Sequence, residues 1–138
     1  MRDRLTKERR SWNMAQIRGK DTKPEVLVRS VLHRMGFRFR LHGKDLPGRP
    51  DIVLPRYRAV IFVHGCFWHR HRGCRNCTTP TRRREWWIKK LEGNVVRDRF
   101  QEQALRKLGW RTMVVWECET EKPDALERLG RALARKLG

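Results

Sequence analysis

Four cysteines and one histidine have the side chains and the spacing of a zinc site. Cys66, His71 and Cys74 lie in one short loop and can reach a common centre. The fourth ligand is either Cys77, in the same loop, or the distant Cys118. Thiolates and imidazoles at short spacings are typical of tetrahedral zinc. The pattern therefore favours a structural zinc ion over a redox pair of cysteines.

A second group of residues could support hydrolysis with a divalent cation. Asp51 begins one apolar segment, and His64 and His69 follow the next. A carboxylate fixed at the end of a strand can hold Mg²⁺ with few other protein ligands. A neutral histidine nearby can deprotonate a water molecule near pH 7. Together these groups would make a minimal phosphodiesterase site. The alternative is that Asp51 caps a turn and His69 is a solvated loop residue.

Alternating helical and strand patterns predict the elements that position these groups. In chain order they read helix, helix, strand, strand, strand, helix, strand, helix. The order predicts an α/β sandwich with a central mixed sheet. The strand at 59–63 should lie at the centre because it is continuously apolar. The predicted helices are 11–18, 24–35, 85–108 and one opening at Pro123, and the predicted strands are 37–41, 51–54, 59–63 and 110–116.

Apolar spacing also predicts which faces of the helices are buried. In the helix at 85–108 the expected inner face is Val96, Phe100, Leu105 and Leu108, with a break near Gly93. The helix before Gly36 should bury Leu27, Val31, Leu32 and Met35, and the last helix should bury Leu126, Leu129, Leu133 and Leu137. In the first strand, Phe37, Phe39 and Leu41 alternate with arginines, as in a half-buried strand.

Length and charge limit the possible functions. The chain has 138 residues, which fits one domain, and its formal net charge is +19 from 34 basic and 15 acidic residues. Such an excess is best understood if a polyanion such as nucleic acid supplies the counter-charge. The longest apolar run, residues 59–63, is far short of the roughly 20 residues of a membrane span. We expect a cytoplasmic protein that binds no membrane.

Five segments of the sequence resemble the very-short-patch-repair (Vsr) DNA mismatch endonucleases. They are LPGRPD at 46–51, VIFVHGCFWH at 60–69, NVVRDR at 94–99, LGWR at 108–111 and VWEC at 115–118. The resemblance covers about residues 11–120, with segments in order and at matching intervals. The string HGCFWH is its most specific part.

The resemblance implies a restriction-endonuclease-like (PD-(D/E)xK) three-layer sandwich with one structural zinc ion. Residues 1–138 would form a single domain, with residues 1–20 as a DNA-contacting helix or arm. Vsr enzymes nick one strand 5′ to the T of a T:G mismatch, using Mg²⁺. The expected partners are T:G-mismatched double-stranded DNA and mismatch-repair proteins. The enzyme would act as a monomer near the bacterial nucleoid.

The same resemblance assigns roles to individual residues. Asp51 would bind Mg²⁺ together with the backbone carbonyl of Val63, and His69 would be the general base. The polar residues around the metal waters and the base would be His64, Glu25 and Asp98. The implied zinc ligands are Cys66, His71, Cys74 and Cys118, with Cys77 as the alternative to Cys74.

Aromatic and apolar residues are candidates for contact with DNA bases. Phe67 and Trp68 fit a wedge that enters the base stack, and a mismatch, which is already loosened, admits such a wedge at lower cost. One of Trp86 and Trp87 should pack in the core, and the resemblance favours Trp87 as the DNA-facing residue. Met14 and Ile17 could form a wedge from the other groove or dock their helix onto the core.

Two other functions remain open from the sequence. One keeps the metal site but changes the target, as in a nicking or restriction nuclease of a mobile or defence system. The other is a non-catalytic, zinc-stabilised module that binds nucleic acid. The joint presence of two histidines and three acidic residues that fit a hydrolytic site argues against the second.

Overall fold

The structure, a computed structural model, describes residues 22–138 and contains three helices and four strands in that range. The predicted helix at 11–18, the arm at 1–20 and the residues Met14 and Ile17 lie outside the described residues. The helices are α1 (Lys23–Arg34), α2 (Arg84–Lys107) and α3 (Pro123–Leu137). The strands are β1 (Arg40–Leu41), β2 (Ile52–Leu54), β3 (Ala59–His64) and β4 (Arg111–Trp116), and short 3₁₀ turns cover Pro55–Tyr57 and Glu117–Thr120.

The four strands form one mixed sheet in the order β1-β2-β3-β4. β1 and β2 are antiparallel, β2 and β3 are antiparallel, and β3 and β4 are parallel. A parallel pair needs a long crossover, which α2 supplies between β3 and β4. β3 lies inside the sheet and is almost wholly buried, so the predicted mixed sheet and the predicted place of this strand are confirmed.

Helices cover both faces of the sheet, which gives three layers. On one face, Ile61 of β3 packs in a cluster with residues of α1 and α3, including Leu32 and Leu133. On the other face, Val60 and Phe62 pack with Leu105 of α2. Successive residues of a strand point to opposite faces, which explains why β3 contributes to both clusters. The buried stripe of α3, Leu129, Leu133 and Leu137, is as predicted, with Leu126 half-buried.

The predictions for α2 were wrong in two respects. The helix runs without interruption through Gly93, and Val96, Phe100 and Leu108 are 66%, 72% and 54% exposed. Its buried residues are Leu91, Asn94 and Leu105. The inward stripe of this helix is partly polar because it borders a cleft, so apolar spacing correctly predicted only Leu105 among its buried residues.

The first strand and the first helix also differ from the predictions. Only Arg40 and Leu41 pair with β2, and Leu41 is 41% exposed because β1 is the edge strand. Phe37 and Phe39 are half-buried against the core without joining the ladder. In α1, Val31 and Leu32 are buried as predicted and Val28 is buried with them, whereas Leu27 is half-buried and Met35, just after the helix, is 39% exposed. None of the helices within residues 22–138 is long and apolar enough to cross a membrane.

Candidate active site and metal centres

An open cleft of about 820 Å³ lies where β3 ends. Its walls come from the start of α1, the segments before β2 and after β3, and one side of α2. All five residues predicted to be catalytic line this cleft: Glu25, Asp51, His64, His69 and Asp98. The sequence separates these residues by up to three elements, and the fold brings them to one place.

Asp51 is held at the base of the cleft by a backbone hydrogen bond. The Val63 N–H donates to Oδ2 of Asp51 over 2.7 Å, which ties the start of β2 to the end of β3. Burial raises the pKa of Asp51 from 3.8 to about 6. The Val63 hydrogen bond and the charge of His69 act in the opposite direction, and the neighbouring Glu25 raises the pKa further. Asp51 and His69 both line this cleft, on the segments before β2 and after β3.

Glu25 and His42 accompany Asp51. One ligand atom from each of these three side chains lies within 4.8 Å of the others, which makes the group a candidate cation site. Glu25 is buried and accepts a hydrogen bond of 3.1 Å from Arg29, one turn further along α1. The same guanidinium lies 3.4 Å from Nε2 of His42.

His42 and Arg29 were missed by the sequence reasoning. The backbone of His42 is left-handed, with φ of 53°, which is uncommon for a residue other than glycine. Its N–H donates to the carbonyl oxygen of Asp51 over 3.0 Å, so this turn fixes His42 beside the carboxylate. The only signal available for Arg29 is its spacing of four residues from Glu25 on a helix.

His69 lies between Asp98 and His64. Its Nδ1 is 2.6 Å from Oδ2 of Asp98, and its ring stacks on His64 with centroids 3.8 Å apart and planes 5° apart. A carboxylate accepts but does not donate, so Nδ1 of His69 carries the hydrogen, which leaves Nε2 as the basic nitrogen. Burial and the charge of His69 lower the pKa of His64 to about 4, so this second ring is neutral near pH 7.

The second candidate metal centre is a group of one histidine and three cysteines. One ligand atom from each of Cys66, His71, Cys74 and Cys118 lies within 4.8 Å of the others, a set that does not include Cys77. Nδ1 of His71 is 3.6 Å from Sγ of Cys66 and 3.4 Å from Sγ of Cys118.

The parallel pairing of β3 and β4 explains why a cysteine so distant in sequence joins the loop. His64 pairs with Trp116, so Cys66 and Cys118, each two residues further on, leave the sheet side by side. Burial raises the pKa of the Cys66 thiol, and it raises that of Cys118 to about 12 together with the neighbouring Cys66 and Cys74 thiols. One histidine and three cysteines with donor atoms this close are the kind of set that zinc takes as ligands, with the cysteines bound as thiolates.

The loop after β3 carries an aromatic group at the edge of the cleft. The Phe67 ring lies 5.0 Å from Trp68 and 5.6 Å from Trp87, measured between centroids. Asn94, on the inner side of α2, donates a hydrogen bond of 3.1 Å to the Trp68 carbonyl oxygen. Trp86 is 48% exposed under the guanidinium of Arg83.

The expectation that either Trp86 or Trp87 packs in the core was wrong. Neither ring belongs to the two core clusters of the described chain. Both residues lie in the first turn of α2, where Trp87 is half-buried against Phe67 and Trp68. The Trp86 ring is therefore left at the surface, while the Trp87 ring packs with the aromatic residues of the loop after β3.

Comparison with known proteins found one matching family model and several similar proteins. The family model described as "DNA mismatch endonuclease Vsr" matches residues 2–76. The chain is 56% identical over 127 residues to "Type II nicking enzyme V.XorIIP" of Xanthomonas oryzae pv. oryzae, covering 92% of this chain and 93% of the relative. It is 47% identical over 118 residues to "DNA mismatch endonuclease Vsr" of Escherichia coli, covering 86% and 75%. It is 45% identical over 132 residues to "Type II nicking enzyme V.NmeAIP" of Neisseria meningitidis, covering 95% and 94%.

Proposed function

The chain belongs to the Vsr family of DNA mismatch endonucleases and is a DNA endonuclease, and we propose that it nicks one strand 5′ to the T of a T:G mismatch with the help of Mg²⁺. The observation that carries this proposal is the meeting of Asp51 and His69 in one cleft, where Asp98 also contacts the His69 ring. A restriction-endonuclease-like core is part of the same proposal, and the three-layer mixed sheet supports it.

Asp51 would hold the cation together with the backbone carbonyl of Val63. The donor set fits a hard cation, which prefers oxygen ligands. The carboxyl groups of Asp51 and Glu25 are neighbours whose negative charges repel, and a cation between them would remove that repulsion. The Val63 hydrogen bond fixes the Asp51 carboxylate at the end of β3. When bound, Mg²⁺ supplies charge stabilisation for the phosphate and for the attacking oxygen.

His69 would act as the general base. Its Nδ1 is engaged by Asp98 at 2.6 Å, so Nε2 can take a proton from water. Asp98 holds the ring in the required tautomer and stabilises the imidazolium that forms. The neutral His64 ring, stacked on His69, fixes the plane of the base without competing for its proton.

We further propose that Cys66, His71, Cys74 and Cys118 hold one structural Zn²⁺. Their four donor atoms make a closed set, which is typical of structural rather than catalytic zinc. The ion would join the loop after β3 to the end of β4. That loop carries Phe67, Trp68 and His69, so the zinc site would fix both the base and the aromatic group.

The aromatic group supports a preference for mismatched DNA. Phe67, Trp68 and Trp87 would enter the base stack, where stacking contributes ~1–3 kcal/mol per base and unstacking costs a few kcal/mol. A T:G pair is easier to unstack than a matched pair, so the wedge favours it. Met14 and Ile17, which lie outside the described residues, would add contacts from the other groove. A single nick needs one active site, which supports a monomer.

The experiment is a nicking assay on labelled duplexes that carry a T:G pair or the matched pair in several sequence contexts. We expect one nick 5′ to the mismatched T, dependent on Mg²⁺. Asp51→Ala and His69→Ala should remove nicking while duplex binding persists. His33→Ala, at the exposed end of α1, is the matched control and should nick normally. A wild-type protein that leaves every T:G duplex intact contradicts the proposal.

A second candidate function is a nicking enzyme whose target is a matched sequence. The names of the relatives from Xanthomonas oryzae and Neisseria meningitidis, "Type II nicking enzyme", state nicking without naming a mismatch. The same assay separates the two functions, because this candidate predicts equal rates on the matched and mismatched duplexes. Loss of nicking in Asp51→Ala would be common to both.

A further inference from the structure

Trp116 connects the cysteine-histidine group to the two histidines of the cleft. Its ring stacks on His71 with centroids 4.2 Å apart and planes 7° apart. It also meets His64 edge-on at 5.3 Å, with planes 72° apart. His64 in turn stacks on His69 at 3.8 Å. A continuous series of ring contacts thus runs from the candidate zinc ligand to the candidate base.

The position of Trp116 is fixed by its backbone. In the parallel ladder of β3 and β4, Trp116 is the direct Cα partner of His64. Its N–H donates to the Glu119 side chain over 2.9 Å, which anchors the end of β4 to the following 3₁₀ turn. The backbone of Trp116 is therefore held at the end of β4, and its indole has little freedom to move with the neighbouring rings.

The His64 ring depends on packing for its orientation. Within residues 22–138, its ring contacts are with Phe62, His69 and Trp116, and no side-chain hydrogen bond of His64 accompanies them. The side chain is 6% exposed, so the ring is enclosed by these neighbours. Removing the indole would open a space beside His64, and the ring could then turn and release His69 from its stack.

We propose that Trp116 is a positioning residue. Its indole packs between His71 and His64, and it thereby fixes the plane of His64 and of the His69 ring stacked on it. This inference rests on the proposed function, because it takes His69 as the base. A base misplaced by about 1 Å can cost on the order of 10²-fold in rate. The effect should therefore fall on the chemical step and leave DNA binding unchanged.

The test compares Trp116→Leu and Trp116→Phe with the wild-type protein at pH 7.5. Single-turnover nicking rate, duplex Kd and bound zinc per chain are measured for each. We expect Trp116→Leu to nick roughly 10–100-fold more slowly, with Kd within about twofold and zinc content unchanged. Trp116→Phe keeps an aromatic ring and should lose about 3–10-fold. Trp110→Leu, a half-buried tryptophan just before the other end of β4, should keep the wild-type rate.

Ring contacts can also be measured without activity. In ¹H–¹³C aromatic spectra of the zinc-loaded proteins, the His64 and His69 ring signals should shift in Trp116→Leu and stay in place in Trp110→Leu. If the wild type nicks nothing, the proposed function fails, while this spectrum still tests the positioning role.

Three results would overturn the inference. They are an unchanged nicking rate in Trp116→Leu, a rate loss matched by equal loss of zinc or of DNA binding, and histidine signals that do not move. If Trp116→Leu does not fold, the nicking rate and duplex Kd of Trp116→Phe test the positioning role instead. A slower rate at unchanged Kd supports the positioning role, and an unchanged rate refutes it.

Discussion

Replacing Asp51 with asparagine should stabilise the cation-free protein while abolishing its activity. Burial and the neighbouring Glu25 raise the pKa of Asp51 from 3.8 to about 6 in the folded chain. The native state therefore binds more protons than the unfolded state between about pH 4 and pH 6. By linkage, the contribution of Asp51 to stability is fully present below about pH 4 and is lost as pH rises through about 6.

The magnitude follows from the size of the pKa rise. At 1.36 kcal/mol per pKa unit, a rise from 3.8 to about 6 costs the folded state roughly 3 kcal/mol above pH 6. Asparagine carries no charge, and its Oδ1 can still accept the hydrogen bond of the Val63 N–H. That hydrogen bond is weaker to a neutral acceptor. We therefore expect a net gain of about 1–3 kcal/mol in the free energy of unfolding at pH 7.5.

The assay is urea unfolding at pH 7.5 and at pH 4.5 in buffer without Mg²⁺. Asp51→Asn should be more stable than the wild type at pH 7.5, and the difference should shrink towards zero at pH 4.5. Asp45→Asn, in an exposed loop, is the matched control and should differ little at either pH. An Asp51→Asn variant that is less stable than the wild type at pH 7.5, or equally stabilised at both pH values, would mean that burial of the Asp51 charge does not destabilise the fold.

Three further variants test other parts of the site. Cys118→Ser should lose bound zinc and several kcal/mol of stability, while Cys77→Ser should keep its zinc; equal zinc content in both would contradict the assignment. Asp98→Asn should slow single-turnover nicking by ~10²-fold or more at unchanged duplex affinity, because His69 loses the partner that holds its tautomer; a wild-type rate would exclude that role. Trp68→Ala should weaken binding to T:G duplexes by ~1–3 kcal/mol and binding to matched duplexes by less, measured by fluorescence anisotropy; equal losses would argue against a wedge.

The sequence predicted the parts of the site that local rules control. Asp51 and His64 lie at the ends of short apolar strands, and strand ends in a mixed sheet gather polar groups. β3 was recognisable as the central strand because its residues are apolar on both faces. Strand ends and a buried strand can be recognised from the alternation of apolar and polar side chains and from the position of turn residues alone.

Other features depended on contacts between distant elements. Spacing alone left Cys77 and Cys118 as equal candidates, and the parallel register of β3 with β4 places Cys118 in the group. The inner side of α2 carries Asn94 and Asp98 because it borders the cleft, so apolar periodicity predicted Leu105 correctly and missed the polar part of this side. His42 gave no signal, because its position beside Asp51 comes from a left-handed turn.

In the proposed reaction, a cation held by Asp51 acts on the same phosphate that is attacked by the water deprotonated by His69. The most direct measurement replaces one non-bridging oxygen of the scissile linkage in a T:G duplex with sulfur. The nicking rate is then compared in Mg²⁺ and in the more thiophilic Mn²⁺. We predict that one diastereomer is cut at least 10-fold more slowly in Mg²⁺ and regains its rate in Mn²⁺, because each 1.4 kcal/mol of lost metal contact costs tenfold. Equal rates for both diastereomers in both metals would contradict the claim.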